Sequence, residues 1–182
     1  DKTLELTTYT EVILSDNMDD VSHRVFNNMF ISSEYDINTN SLIMRRKGRG
    51  ENTVNSYMVN RLIIDNPLDE FTYETERSNF IGRGYTPNCP SALHHDLSNY
   101  SGDNLDPVMS LRNKIVVPAN GDTVVYLIMG FGRSREQIMD IIYSYNNLDD
   151  IERAFRVSAL MNIVNTKTLG ISGDDMRLYN IM

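Results

Sequence analysis

Apolar and polar residues alternate from Thr3 to Leu14: Leu4, Leu6, Thr8, Thr10, Val12 and Leu14 fall on one side, and Glu5, Thr7, Tyr9, Glu11 and Ile13 on the other. A period of two predicts a half-buried antiparallel strand about twelve residues long. Similar patterns predict strands over Phe26–Tyr35 and Ser41–Arg46, joined through Asp36-Ile37-Asn38-Thr39-Asn40, and over Tyr57–Ile64 and Phe71–Thr75 around a turn at Asp65-Asn66-Pro67. The last strands, Arg112–Pro118 and Thr123–Phe131, flank Ala119-Asn120-Gly121-Asp122, whose Asn-Gly pair predicts a hairpin. Between the first two strands, Ser15–Asp20 reads as a solvated loop, because its acids lack the alternation and glycine of a calcium loop.

The period then becomes helical. Ser134-Arg135-Glu136-Gln137 has the form of a capping box, opening a helix with Ile138, Met139, Ile141, Ile142 and Tyr145 on its apolar face. Asn147 caps a second helix that carries Ile151, Phe155, Leu160 and Ile163 and ends at Gly170, and Ser172 caps a third. A run of strands followed by a run of helices predicts a mainly β, antiparallel sandwich over residues 1–133 and a helical segment over residues 134–182. Strand period starts almost at the first residue and helical period runs to Met182 without a capping glycine or proline, so the chain is expected to be a piece of a longer polypeptide.

Composition narrows the partners. Apolar residues make up 41% and charged residues 23%, as in an ordinary globular domain. The net charge of −8 repels both a phosphate backbone and an anionic membrane, so neither nucleic acid nor membrane is an expected partner. The run Val124–Met129 is far shorter than the ~20 residues of a membrane helix, and no signal-peptide pattern opens the chain. Cys89 stands alone, excluding an internal disulfide and favouring a reducing, cytoplasmic setting; it reads as a small apolar filler rather than a nucleophile.

The densest chemistry lies in Tyr73-Glu74-Thr75-Glu76-Arg77-Ser78-Asn79-Phe80-Ile81-Gly82-Arg83-Gly84. Arg77 is within pairing reach of Glu74 or Glu76, and Gly82 and Gly84 permit a tight loop that projects Arg83. Two readings stay open: an ion pair that fixes the loop, or an arginine presented to a ligand or partner. The basic loop Arg45-Arg46-Lys47-Gly48-Arg49-Gly50 either reaches an anion such as phosphate or forms a solvated edge. Prolines keep Tyr85–Asp96 irregular; His94 and His95 point opposite ways if extended and have no further ligand at metal spacing. Asn99-Tyr100-Ser101 is a glycosylation triplet without a secretory signal. Gly130-Phe131-Gly132-Arg133 lacks the third glycine and following strand of a dinucleotide site, and no cofactor is expected. With no Trp, the chain lacks the usual platform of a sugar-binding module.

Three segments together carry a family resemblance. Tyr73–Gly84, Leu105-Asp106-Pro107-Val108-Met109-Ser110-Leu111-Arg112 and Ser134-Arg135-Glu136 are similar to the ETDR-x-x-F-[IL]-GRG, LDP-x-x-[SA]-LR and SRE segments of the β-supersandwich domain of glycoside hydrolase family 94. The entry strand Thr8-Tyr9-Thr10-Glu11-Val12 and the helices to Leu169-Gly170-Ile171 extend the likeness over nearly the whole chain. Glu76 departs from the pattern, which commonly has Asp there. The Gly-Arg-Gly and Leu-Asp-Pro forms resemble the β-1,2-glucan branch, which holds 1,2-β-oligoglucan phosphorylase and the phosphorylase region of cyclic β-1,2-glucan synthase.

The resemblance implies a galactose mutarotase-like antiparallel supersandwich followed by linker helices. It also implies a parent enzyme that phosphorolyses β-glucan oligosaccharides with inversion, using inorganic phosphate as co-substrate. The acid that protonates the leaving oxygen would belong to a following (α/α)6-barrel, leaving this chain without a catalytic residue and with no metal. The barrel and a homodimer mate are its implied partners, and Arg83 and Arg77 its candidate substrate-binding residues. A free-standing glucan-binding module and a pure scaffold or dimerisation domain are the alternative readings.

Overall fold

The computed structural model describes residues 1–48, 55–65, 67–172 and 175, and the chain divides into two units, Asp1–Tyr143 and Ser144–Met182. The first unit is a sandwich of two antiparallel sheets. One sheet has β7 (Pro107–Val117) at its centre, flanked by β1 (Lys2–Thr7), β2 (Thr10–Glu11) and β6 (Thr72–Glu76). The other runs in the order β3 (Ile31–Asp36), β4 (Ser41–Arg46), β5 (Ser56–Ile64), β8 (Val125–Gly132). Their inner faces bury Val12, Leu14, Leu42, Met44, Leu62, Met109 and Leu111 in one cluster. The fold is the mainly β, antiparallel sandwich with C-terminal helices that alternation predicts.

Three expectations need correction. The long first strand is broken into β1 and β2, because the Thr8 hydroxyl takes the Leu111 N–H at 2.9 Å and interrupts the ladder; Val12 and Leu14 still reach the core. The predicted loop Ser15–Asp20 and the start of the predicted strand Phe26–Tyr35 instead contain α1 (Asn17–Asn28), which is kinked at His23. Buried Asn27 explains this: its amide donates to the Asp19 and His23 carbonyls, and its oxygen accepts from Arg46 Nη2 at 2.9 Å. Lastly, Asn120-Gly121 makes a turn, with Asn120 at φ 59 and Gly121 N–H on the Pro118 carbonyl, but no hairpin. The turn passes the chain from one sheet to the other, since β7 pairs with β1, β2 and β6 whereas β8 pairs with β5.

Helix α3 (Arg135–Ser144) covers the outer face of the second sheet, with Ile138 and Ile142 fully buried against Ile43, Tyr57 and Val59. The glycines of Gly130-Phe131-Gly132 serve this packing. A Cβ on Gly130 would lie 3.0–3.1 Å from Val59 and Ile141, and one on Gly132 would lie 3.1 Å from Gln137. The Ser134 hydroxyl accepts the Gln137 N–H at 3.3 Å, and the Gln137 side chain reaches back to the Arg133 N–H at 2.8 Å, one residue short of the standard box. At the other end, buried Arg61 donates to the Ile142 carbonyl at 2.8 Å, supplying a cation where the helix dipole favours one.

In the second unit, α4 (Leu148–Thr168) starts under the Asn147 cap, whose oxygen accepts from Asp150 N at 2.9 Å, and ends before Gly170 at φ 65. Ile151 is buried, while Phe155, Leu160 and Ile163 are exposed. Ser172 accepts the Asp175 N–H as a cap would; the rest of the predicted third helix lies outside the described residues. Among the described residues no helix is long and apolar enough to cross a membrane.

Candidate functional site

The Tyr73–Gly84 segment is the end of β6 running into α2 (Arg77–Ile81), and its register slips between Glu74 and Glu76. A bulge leaves backbone N–H groups outside the ladder. The Glu74 carboxylate, only 2% exposed, collects them: Oε1 accepts from Thr75 N and Glu76 N at 3.0 Å each, and Oε2 accepts from Ser98 N at 3.3 Å. Three N–H donors are what make burial of this carboxylate tolerable. Glu76 acts similarly on the loop before β7, accepting from Leu105 N and Asp106 N at 3.2 Å.

The Thr75 hydroxyl donates to the Tyr100 carbonyl and accepts from Asn104, whose oxygen in turn accepts from the Ser33 hydroxyl at 2.7 Å. This buried polar chain runs from β6 to β3 and closes the β3 edge, where Ser33 N bonds to the Gly102 carbonyl.

Arg77 pairs with neither Glu74 nor Glu76, whose oxygens are already engaged by backbone. Its Nε lies 3.3 Å from Glu11 and 3.2 Å from the Tyr9 hydroxyl, and its Nη1 lies 3.7 Å from Asp106. Glu11 also receives Tyr9 O–H at 3.0 Å and Arg24 at 3.5 Å. The Tyr9 hydrogen bond, aided by Arg24 and Arg77, holds the Glu11 carboxyl below its ordinary value. Burial is the main cause pushing the Tyr9 phenol up. The Tyr9 ring stacks on Phe80 with centroids 4.8 Å apart, so the charged cluster sits on a small apolar base of Phe80, Ile81, Ala92, Leu97 and Val108.

Arg83 lies in the exposed turn after α2 and, among the described residues, has no hydrogen bond or ion pair. The structure therefore does not join the two candidate arginines: Arg77 is tied to β2 and the β7 loop, and Arg83 is presented to solvent. Gly82 fixes that turn. At φ 79 and ψ 158 it has a backbone conformation that essentially only glycine adopts, and a Cβ there would clash with the Ser91 side chain.

Arg112 is the residue that pattern reading passed over. It is buried in β7, where Nε donates to the Thr7 hydroxyl and lies 3.3 Å from Glu5, Nη1 donates to the His95 carbonyl at 2.9 Å, and Nη2 donates to the Ala92 carbonyl. It pulls the short 3-10 turn Ser91–His94 onto the sheet. The available signal was a cation at the centre of an apolar strand, a position arginine occupies only with partners.

The other candidates resolve into local structure. The His95 ring meets the Ser91 hydroxyl and the Asp96 carbonyl, and no group of three metal-ligating side chains occurs among the described residues. Cys89 is exposed, which corrects its reading as a buried filler. The Asn99 oxygen accepts from Tyr73 N at 2.8 Å, giving the triplet's asparagine a structural task. A cleft of about 250 Å³ lies between Tyr35, Asn40, Pro67, Glu70 and Phe71; Tyr35 stacks on Tyr73 at 4.2 Å, and burial pushes its phenol up to about 12.

A sandwich whose motif acids bind backbone, with a helix capped at Ser134, defines a class. Residues 1–148 match the family described as glycosyl hydrolase 94, supersandwich domain, and the chain belongs to that family. Among curated proteins it is similar to the cyclic beta-(1,2)-glucan synthase NdvB of Rhizobium meliloti (strain 1021), 26% identical over 186 aligned residues. That alignment takes in 100% of this chain and 6% of the synthase, so the chain spans a small fraction of its relative's length.

Proposed function

We propose that this chain is the non-catalytic sandwich domain of an enzyme acting on β-1,2-glucans, and that it supports a catalytic (α/α)6-barrel and a homodimer interface in its parent. The observation that carries the reading is the fate of the motif acids. Glu74 and Glu76, the carboxylates of the family-marking segment, are engaged by five backbone N–H bonds in all, so they hold loops instead of facing a substrate. Membership of the supersandwich family and likeness to a cyclic beta-(1,2)-glucan synthase support the substrate class. The parent's reaction would be phosphorolysis or glycosyl transfer with inorganic phosphate as co-substrate, carried out in the cytoplasm, and this chain adds no cofactor to it. The helical segment from Ser134 onward leads toward the barrel, and the exposed Phe155, Leu160 and Ile163 of α4 are the surface it would offer there.

Arg83 is the residue of this chain assigned to a neighbouring substrate site, since its charge is uncommitted; Arg77, held by Glu11 and Asp106, has a positioning part at most. The test is Arg83→Ala in the full-length enzyme, with melting temperature and kinetics measured together. A raised KM for the glucan at unchanged melting temperature supports the assignment. A lowered melting temperature with unchanged kinetics of the folded enzyme removes Arg83 from the site. Glucose 1-phosphate formation by this chain alone, given β-1,2-glucooligosaccharides and phosphate, would overturn the non-catalytic reading.

A further inference from the structure

The basic loop singled out in the sequence begins at Arg45, and the proposed function leaves this residue without a task. In register across β3, β4 and β5, Ser32, Arg45 and Tyr57 form one row on the outer face of the second sheet. Arg45 lies over the Tyr57 ring at 5.8 Å, and its Nε is buried with no hydrogen-bond partner. Among the described residues it has no ion pair either. Arg135, at the first turn of α3, closes the other side of the same cleft, which measures about 190 Å³ and is also lined by Glu34 and Ile43.

Glu34 engages one arm of Arg135 at 2.6 Å, so two guanidiniums and one carboxylate leave a net single positive charge facing the cleft. The Tyr57 face returns only part of the hydration that the half-buried Arg45 guanidinium loses, and an entering oxyanion offsets the rest. Ser32 and Ser33 of β3 add polar surface to the same cleft.

We propose that the Arg45–Arg135 cleft is a binding site for a small oxyanion, a phosphate-type or carboxylate-type group held by the Arg45 guanidinium. The site belongs to the α3 face of the domain and shares no residue with the Arg77 and Arg83 segment. The test titrates the full chain separately with inorganic phosphate and with acetate, at ionic strength held constant with chloride, reading amide chemical shifts and melting temperature. Saturable shifts at Ser32, Arg45, Tyr57 and Arg135 with either anion support the site, and the anion that produces them names the source. In Arg45→Gln the apparent affinity falls about tenfold or more, the loss of one charge-assisted contact. Should that variant fail to fold, the wild-type shift map decides alone. No saturable change with either anion, or an unchanged response in folded Arg45→Gln, overturns the proposal.

Discussion

On the outer face of the β3-β4-β5-β8 sheet, α3 lays Ile138 and Ile142 against Ile43, Tyr57 and Val59. On the outer face of the other sheet the described cover is a five-residue helix, a 3-10 turn and irregular chain; beside a small apolar base of Phe80, Ile81, Ala92, Leu97 and Val108, charged side chains hold it down, Glu74 and Glu76 through backbone N–H groups and Arg112 through backbone carbonyls. One cover is made by apolar area, which is non-directional and tolerates repacking. The other adds to its apolar base directional bonds to buried charges, where removing one partner orphans several groups at once. The family-marking motifs concentrate in the second cover. That is why a segment dense in acids and arginines reads at first as an active site and resolves into a clasp.

The largest expected effect is on the polar cover. Glu74→Ala leaves Thr75, Glu76 and Ser98 N–H groups unpaired and opens a void, a loss of about 4 kcal/mol, measurable by urea unfolding. On the apolar cover, Ile138→Ala should cost about 3 kcal/mol by the same measurement. If Ile138→Ala proves the more damaging of the two, the ranking of covers is reversed. Gly82→Ala comes next at about 2 kcal/mol, from its positive φ and the approach of Ser91.

The smallest effect is the exposed Glu11 cluster. Its folded-state value lies below the ordinary 4.5, so its contribution is fully present above that value and is lost as pH falls through the depressed folded value. Glu11→Gln should flatten that part of the stability profile while leaving neutral-pH stability nearly unchanged, because exposed pairs contribute under about 1 kcal/mol. An unaltered acid limb in the variant would assign the pH response to other carboxylates.

The apolar half of this architecture was legible from period. Leu42 and Met44, Leu62, and Ile138 with Ile142 sit in the core or under α3 within the strands and helix that period predicts, whereas Leu111 belongs to a stretch of β7 that begins five residues before the predicted strand. What stayed hidden was decided by single polar side chains. Thr8 broke the first strand, Asn27 turned a predicted strand start into helix, and Arg77 chose Glu11, distant in sequence, over glutamates next to it. Asn120-Gly121 made the turn its chemistry demands, yet β8 paired with β5 and not with β7, a long-range choice that no local pattern encodes. Of the candidate site, the segment was found and its partners were not.

The central claim is that the motif segment is a clasp and that the sandwich by itself presents no glucan site. Calorimetric titration of the folded chain with β-1,2-linked glucooligosaccharides tests it most directly. No saturable heat is expected. Saturable binding that weakens when Tyr35 is replaced by Ala would place a sugar in the Tyr35–Glu70 cleft and make the chain a glucan-binding module, contradicting the account.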